Sequence, residues 1–157
     1  MDKLDYARQW QDIATTDFNL AEHVAKTMWP TPYHIICYHC QQAVEKYLKG
    51  YLVLNDQEPP RTHDLDNLCR LCQEYDQSFA ELADICSELT AYGVQPRYPM
   101  EIVLGEDSMN RALKGAGFVK DFMSSLEPLL FLQPSNEDIE QVEEEQEQHP
   151  EPDLTIQ

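Results

Sequence analysis

The chain has 157 residues, with 11 Lys and Arg against 29 Asp and Glu, a formal charge of −18. That length suits one domain with a substantial core. The acidic balance argues against a general nucleic-acid coat, because non-specific binding rests on Lys and Arg neutralising phosphates; a local basic pocket stays compatible with it. No apolar run approaches the roughly 20 residues that span a bilayer. Met1-Asp2-Lys3-Leu4-Asp5 lacks the basic start and apolar stretch of a signal peptide. Five cysteines, an odd number, fall among apolar helix positions and fit a reducing compartment. These features predict a cytoplasmic protein.

The first helix is expected over about residues 2–28. Its buried stripe is Ala7, Trp10, Ala14, Phe18, Ala21 and Ala25, at spacings of three and four. Pro30 and Pro32 interrupt the pattern. Thr31-Pro32 then reads as an N-cap followed by proline at the first helical position, where the missing N–H costs nothing. The second helix continues to Leu54, and residues 55–61, with Pro59-Pro60, form a loop.

Thr62 or Asp64 caps a third, shorter helix through Tyr75, with Leu65, Leu68, Cys69 and Cys72 inward. Ser78-Phe79-Ala80-Glu81 has the form of a capping box for a fourth helix ending near Gly93. Residues 94–105, containing Pro96-Arg97-Tyr98-Pro99, cannot be regular helix. The fifth helix starts near Asp107 and runs past Glu127. Met109, Ala112, Leu113, Ala116, Val119, Met123 and Leu126 form its inner face, and Gly115 and Gly117 permit close packing.

No strand series is present in the pattern, so an all-α antiparallel bundle of about five helices is expected over residues 1–133. Residues 134–157 carry nine acids and no Lys or Arg, leaving 20 acids and 11 bases, a net of −9, on the first 133. This acidic tail reads as mostly disordered, with Ile139 and Val142 marking at most a short helical turn.

Within the second helix, the step of about 100° per residue puts Cys40, Val44, Tyr47 and Tyr51 on one side and Gln42, Glu45, Lys46 and Lys49 on the other. The layout resembles the HEPN family, the helical domains named for higher eukaryotes and prokaryotes nucleotide-binding. The resemblance covers roughly Leu4 to Leu132. It is carried by Trp10 and Asp17-Phe18-Asn19-Leu20-Ala21 in helix one and by His39 through Leu52 in helix two. Thr62-His63-Asp64-Leu65 at helix three and Arg97-Tyr98-Pro99 before the last helix complete it.

The resemblance implies an antiparallel bundle that commonly dimerises and often acts beside a minimal nucleotidyltransferase, as one half of a toxin–antitoxin pair. Many active members are metal-independent ribonucleases with an Arg, four to six residues, then a His. None of Arg8, Arg61, Arg70, Arg97 and Arg111 is followed by a His in that window, so the expected branch lacks the ribonuclease motif.

Three groups of residues are candidates for chemistry. Cys37, Cys40, Cys69 and Cys72 form two CxxC pairs that could hold zinc. Both pairs continue apolar helix faces, however, which favours core thiols and no metal. Gln42, Lys46, Lys49 and His63 are either a solvated or dimer-packing face, with Glu45 and Lys49 as a helix ion pair, or one wall of a phosphate cleft. Arg97 and Tyr98, stiffened by flanking prolines, either extend that cleft or anchor their loop through a carboxylate such as Glu101 or Asp107. Arg111 could face the same site. No Gly-rich phosphate loop and no Ser–His–Asp set is apparent.

The resulting expectation is a homodimeric, non-catalytic nucleotide-binding or interaction subunit without cofactor or metal. A minimal nucleotidyltransferase is its expected partner and a nucleotide or RNA segment its ligand. Lys49, His63, Arg97, Tyr98, Gln42, Lys46 and Arg111 are the phosphate-facing candidates. The alternatives are a diverged ribonuclease using Arg97, Tyr98 and His63, and a stand-alone oligomeric regulator whose acidic tail competes with nucleic acid.

Overall fold

The computed structural model of the chain describes residues 1–93 and 103–132. Five α-helices make up this part: α1 (Lys3–Thr27), α2 (Tyr33–Leu54), α3 (Leu65–Gln73), α4 (Ala83–Thr90) and α5 (Glu106–Leu126). Short 3-10 turns cover Gln77–Leu82 and Pro128–Phe131. No strand occurs among the described residues, as the periodicity predicts. None of the described helices is long and apolar enough to cross a membrane.

α1 and α2 form the principal hairpin. Small residues let the two backbones approach: Ala7, Ala14 and Ala21 on α1 are buried, as are Ala43 and Gly50 on α2. A Cβ on Gly50 would lie 2.9 Å from Trp10 Cβ and 2.7 Å from Gln11 Nε2. The buried stripe of α1 differs from expectation in one respect. Gln11 occupies a fully buried place, while Trp10 and Ala25 are only partly covered. The exchange is tolerated because Gln11 Nε2 donates to Tyr47 O at 3.3 Å, so the amide is not left dry and unpaired. Beside it, Thr15 and the Tyr47 hydroxyl share a 2.7 Å hydrogen bond.

α2 is the central element, touching α1, α3, α4 and α5. It is therefore buried around most of its circumference, and its Gln/Glu/Lys stripe is not a solvated face: Gln41, Glu45 and Lys49 are buried. The start of α2 also departs from the sequence pattern. Thr31 is not a side-chain cap and Pro32 is not the first helical residue. Pro32 is itself the N-cap, and the amides of Ile35 and Ile36 both bond its carbonyl.

Of the two expected caps for α3, Asp64 serves, its carboxylate accepting from the amides of Asp66 and Asn67. Thr62 Oγ1 accepts from Asp64 N instead. Leu65, Leu68, Cys69 and Cys72 all face inward, as expected. The Ser78 capping box does not form. Asp76 is the cap, accepting from both the amide and the hydroxyl of Ser78, and this drives a 3-10 turn before α4 begins at Ala83. A carboxylate two residues upstream outcompetes the Ser78 hydroxyl, which is consumed as a donor.

α5 buries Ala112, Gly115, Ala116, Val119 and Met123, with Met109, Leu113 and Leu126 packed partly against the same core. Its two internal glycines mark close approaches. Gly115 meets Ile85 of α4 and Gly117 meets Phe18 of α1. The Arg97-Tyr98-Pro99 loop and the acidic tail lie outside the described residues.

Candidate functional site

The polar stripe of α2 is gathered into two like assemblies, one on each flank. Toward α1, Asp17 takes His39 Nδ1 on one carboxylate oxygen at 2.9 Å and the Lys46 ammonium on the other. Toward the α2–α3 loop, Glu45 takes His63 Nδ1 on Oε1 at 2.6 Å and the Lys49 ammonium on Oε2 at 3.4 Å. Each carboxylate thus holds one lysine and one histidine. The two sets are side by side because Glu45 and Lys46 are neighbours in sequence on one helix.

Burial distinguishes the members. The Glu45 side chain is 5% exposed and that of Lys49 10%, whereas His63 is 70% exposed. A carboxylate can only accept, so His63 Nδ1 donates to it and Nε2 remains as the second polar atom of an accessible ring. Glu45 is therefore a buried anchor that fixes an exposed imidazole, and Lys49 neutralises the anchor. Lys49 thus supports the site from within.

The backbone of His63 is held as firmly as its ring. Gln41 Nε2 donates to His63 O at 3.2 Å and lies 3.5 Å from Glu45 Oε1, while Gln42 Nε2 donates to Gln41 Oε1 at 2.8 Å. The next two residues are tied down as well. Asp64 caps α3, and the Leu65 amide donates to Thr90 Oγ1 on α4 at 3.1 Å. Gly93 lets the chain after α4 close over the Gln41 amide, since a Cβ there would lie 2.8 Å from its nitrogen.

The structure therefore brings together Gln42, Lys46, Lys49 and His63 of the expected set. Arg111 is engaged elsewhere, its Nε 2.5 Å from Glu88 Oε1, linking α5 to α4. Arg97 and Tyr98 lie outside the described residues. Sequence reading missed Asp17, His39 and Gln41 as members. The signal for Asp17 was present: it is an acid in an otherwise apolar or uncharged file on α1, and such a charge needs a partner. Gln41 carried no such signal, since its amide is committed to a loop carbonyl that only the tertiary fold delivers.

The cysteines are core residues. All five are free and buried. Cys69 Sγ donates to Phe79 O and Cys72 Sγ to Leu48 O, so two thiols act as donors inside the bundle. Burial pushes the Cys37 thiol up to about 11 and those of Cys40 and Cys72 further upward. This is opposite to what a thiolate ligand requires. Among the described residues, no group of three or more His, Cys, Asp or Glu side chains is placed to hold a metal ion. A shallow cleft on α5, lined by Phe118, Asp121, Phe122, Ser125 and Leu126, contains none of the stripe residues.

Comparison with known proteins agrees with this architecture. The sequence model of the HEPN domain matches residues 7–126. The crystal structure of TT1696 from Thermus thermophilus superposes with a TM-score of 0.66 at 23% identity, covering 76% of this chain and 96% of that one. At that identity the likeness is one of fold. No curated protein matches the chain.

Proposed function

Because the chain belongs to the HEPN-domain family, we propose that it is a cytoplasmic, homodimeric, non-catalytic subunit that binds a phosphate-bearing ligand, a nucleotide or an RNA segment, at the α2 stripe. The supporting observation is the exposed His63 imidazole, oriented by the buried Glu45 carboxylate beside Lys46 and Gln42. An imidazole nitrogen, an ammonium and an amide are the donor types that phosphate oxygens accept from. Lys49 and Glu45 set the geometry; Gln42, Lys46 and His63 meet the ligand. Arg97, Tyr98 and Arg111 are secondary contacts in this reading. The expected protein partner is a minimal nucleotidyltransferase, as in a toxin–antitoxin pair.

Titration calorimetry with ATP and with a short RNA tests the ligand. His63→Ala and Lys46→Ala should each weaken binding by ~10-fold, about the loss of one charge-assisted hydrogen bond. Wild-type protein that takes up neither ligand would reject the reading. Co-expression with a candidate nucleotidyltransferase, followed by size-exclusion chromatography, tests the partner separately.

One observation favours a second reading, the diverged ribonuclease. A carboxylate backing an exposed imidazole is also the arrangement of a general base, suited to taking a proton from a ribose 2′-hydroxyl. In that case RNA, but not its 2′-deoxy counterpart, is cleaved, and His63→Ala and Glu45→Gln both lose cleavage. Clean protein that leaves RNA intact removes this alternative.

A further inference from the structure

α1 carries two stripes. One, through Ala7, Ala14, Phe18 and Ala21, faces the core. The other comprises Tyr6, Trp10, Ile13, Asp17, Leu20 and Val24, at alternating spacings of four and three, and lies about 100° around the helix. Tyr6, Ile13 and Leu20 are exposed, Trp10 and Val24 half-buried, and Tyr6 meets Trp10 edge to face at 6.3 Å. The same side continues into exposed Met28, Trp29 and Ile35 around the turn into α2, with Trp29 87% exposed.

A spacing of 3.5 residues over three turns or more is the geometry of a seam between helices. Its outer flank, Gln9, Thr16 and His23, carries no carboxylate, Lys or Arg, in a chain whose charged residues make up 25%. Depletion of charge with enrichment of aromatics marks the centre of an interface. The single charge in the stripe, Asp17, is already satisfied within the chain by His39 and Lys46.

From this order of residues we infer that the outer stripe of α1 docks on the same stripe of a second copy of the chain, antiparallel and centred near Thr15. This rests on the dimeric reading above and supplies its surface. The stripe is self-complementary in that register. Tyr6 faces the second copy's Val24, Trp10 its Leu20, and Ile13 packs over the hydrocarbon part of its Asp17. The ends match in charge as well: Asp5 in the first turn comes opposite the second copy's Lys26 in the last, and the pairing occurs twice by symmetry. Two copies of a molecule with a net charge of −18 repel over most of their surfaces, and this charge-poor strip is where they approach at least cost.

Light scattering across a dilution series of the full chain, on wild type, Ile13→Glu and Leu20→Glu, tests the surface. Thr16→Cys, which lies near the symmetry axis, is followed in parallel for a covalent dimer under mild oxidation. The expected result is a wild-type dimer, weakening of association by ~100-fold or more in either Glu variant, and a cross-linked Thr16→Cys dimer. Circular dichroism of the Glu variants at wild-type intensity shows that folding is intact. A dimer that survives both Glu substitutions, with Thr16→Cys uncross-linked, overturns this surface while leaving the dimeric reading in place. A wild-type monomer at every concentration overturns both.

Discussion

Glu45 is the residue on which the candidate site turns, and its environment makes that testable. Its carboxylate is buried and holds both Lys49 and His63. Removing it in Glu45→Ala strands the Lys49 ammonium inside the bundle, so a loss of about 3 kcal/mol is expected in urea unfolding. The double variant Glu45→Gln/Lys49→Gln should recover part of that loss, because no charge is then left unpaired. His63→Ala should cost less than ~1 kcal/mol, since the ring is mostly exposed, and so separates ligand binding from stability. Buried acids of the core give a second prediction. Cys37 rises from an ordinary 9.0 to about 11, and Tyr47 and Tyr51 rise from 10.0 to about 12, in each case chiefly by desolvation. An acid raised in this way stabilises the fold fully below its unfolded value, and that contribution is lost as the pH climbs through the folded one. The thermal midpoint should therefore hold steady to about pH 8.5 and fall between pH 9 and 11, and Cys37→Ala should make the fall shallower.

Among the elements, the contact between α1 and α2 is the tightest one in the bundle that glycine permits. Gly50→Ala places a methyl against Trp10 Cβ and Gln11, both fixed in the hairpin, and should cost about 2 kcal/mol through overpacking. Gly115→Ala should be close to neutral. Its new methyl would sit 3.0 Å from one branch of Ile85, which is only partly buried and can yield, and helix propensity returns up to about 1 kcal/mol. Denaturant midpoints of the two variants, compared under one condition, check the contrast. The helices themselves were legible because each has a continuous apolar face of period 3.6 and most have an identifiable stop. The errors lie at starts. Asp76 in place of Ser78, and Pro32 in place of Thr31, are choices among adjacent polar or proline residues separated by one hydrogen bond. A difference that small is decided by how the following helix must meet the core.

For the protein taken entire, charge sets the approach of any anionic ligand. A chain ending at Gln133 would carry −9 instead of −18. If the α2 stripe binds ATP, that shortened chain should bind it more tightly at low salt, and the difference should vanish at high salt as screening removes the repulsion. An affinity unchanged at low salt would mean that the tail exerts no field at the site, and would also set aside the regulator whose tail competes for nucleic acid. The five-helix bundle, the inward cysteines of α3 and the close-packing glycines of α5 follow from periodicity and composition, because burial of an amphipathic face is a property of each segment taken alone. The candidate site does not. Glu45, Lys49 and Gln42 read equally as a wet helix face, and nothing local distinguishes that from a buried stripe. Only the packing of α1 on one flank and the loop before α3 on the other brings Asp17 to Lys46 and His63 to Glu45, across 29 and 18 residues of chain. Which faces are apolar could be read along the chain; which polar groups meet was settled only in three dimensions, because pairing a buried charge depends on a partner that distance in sequence does not reveal.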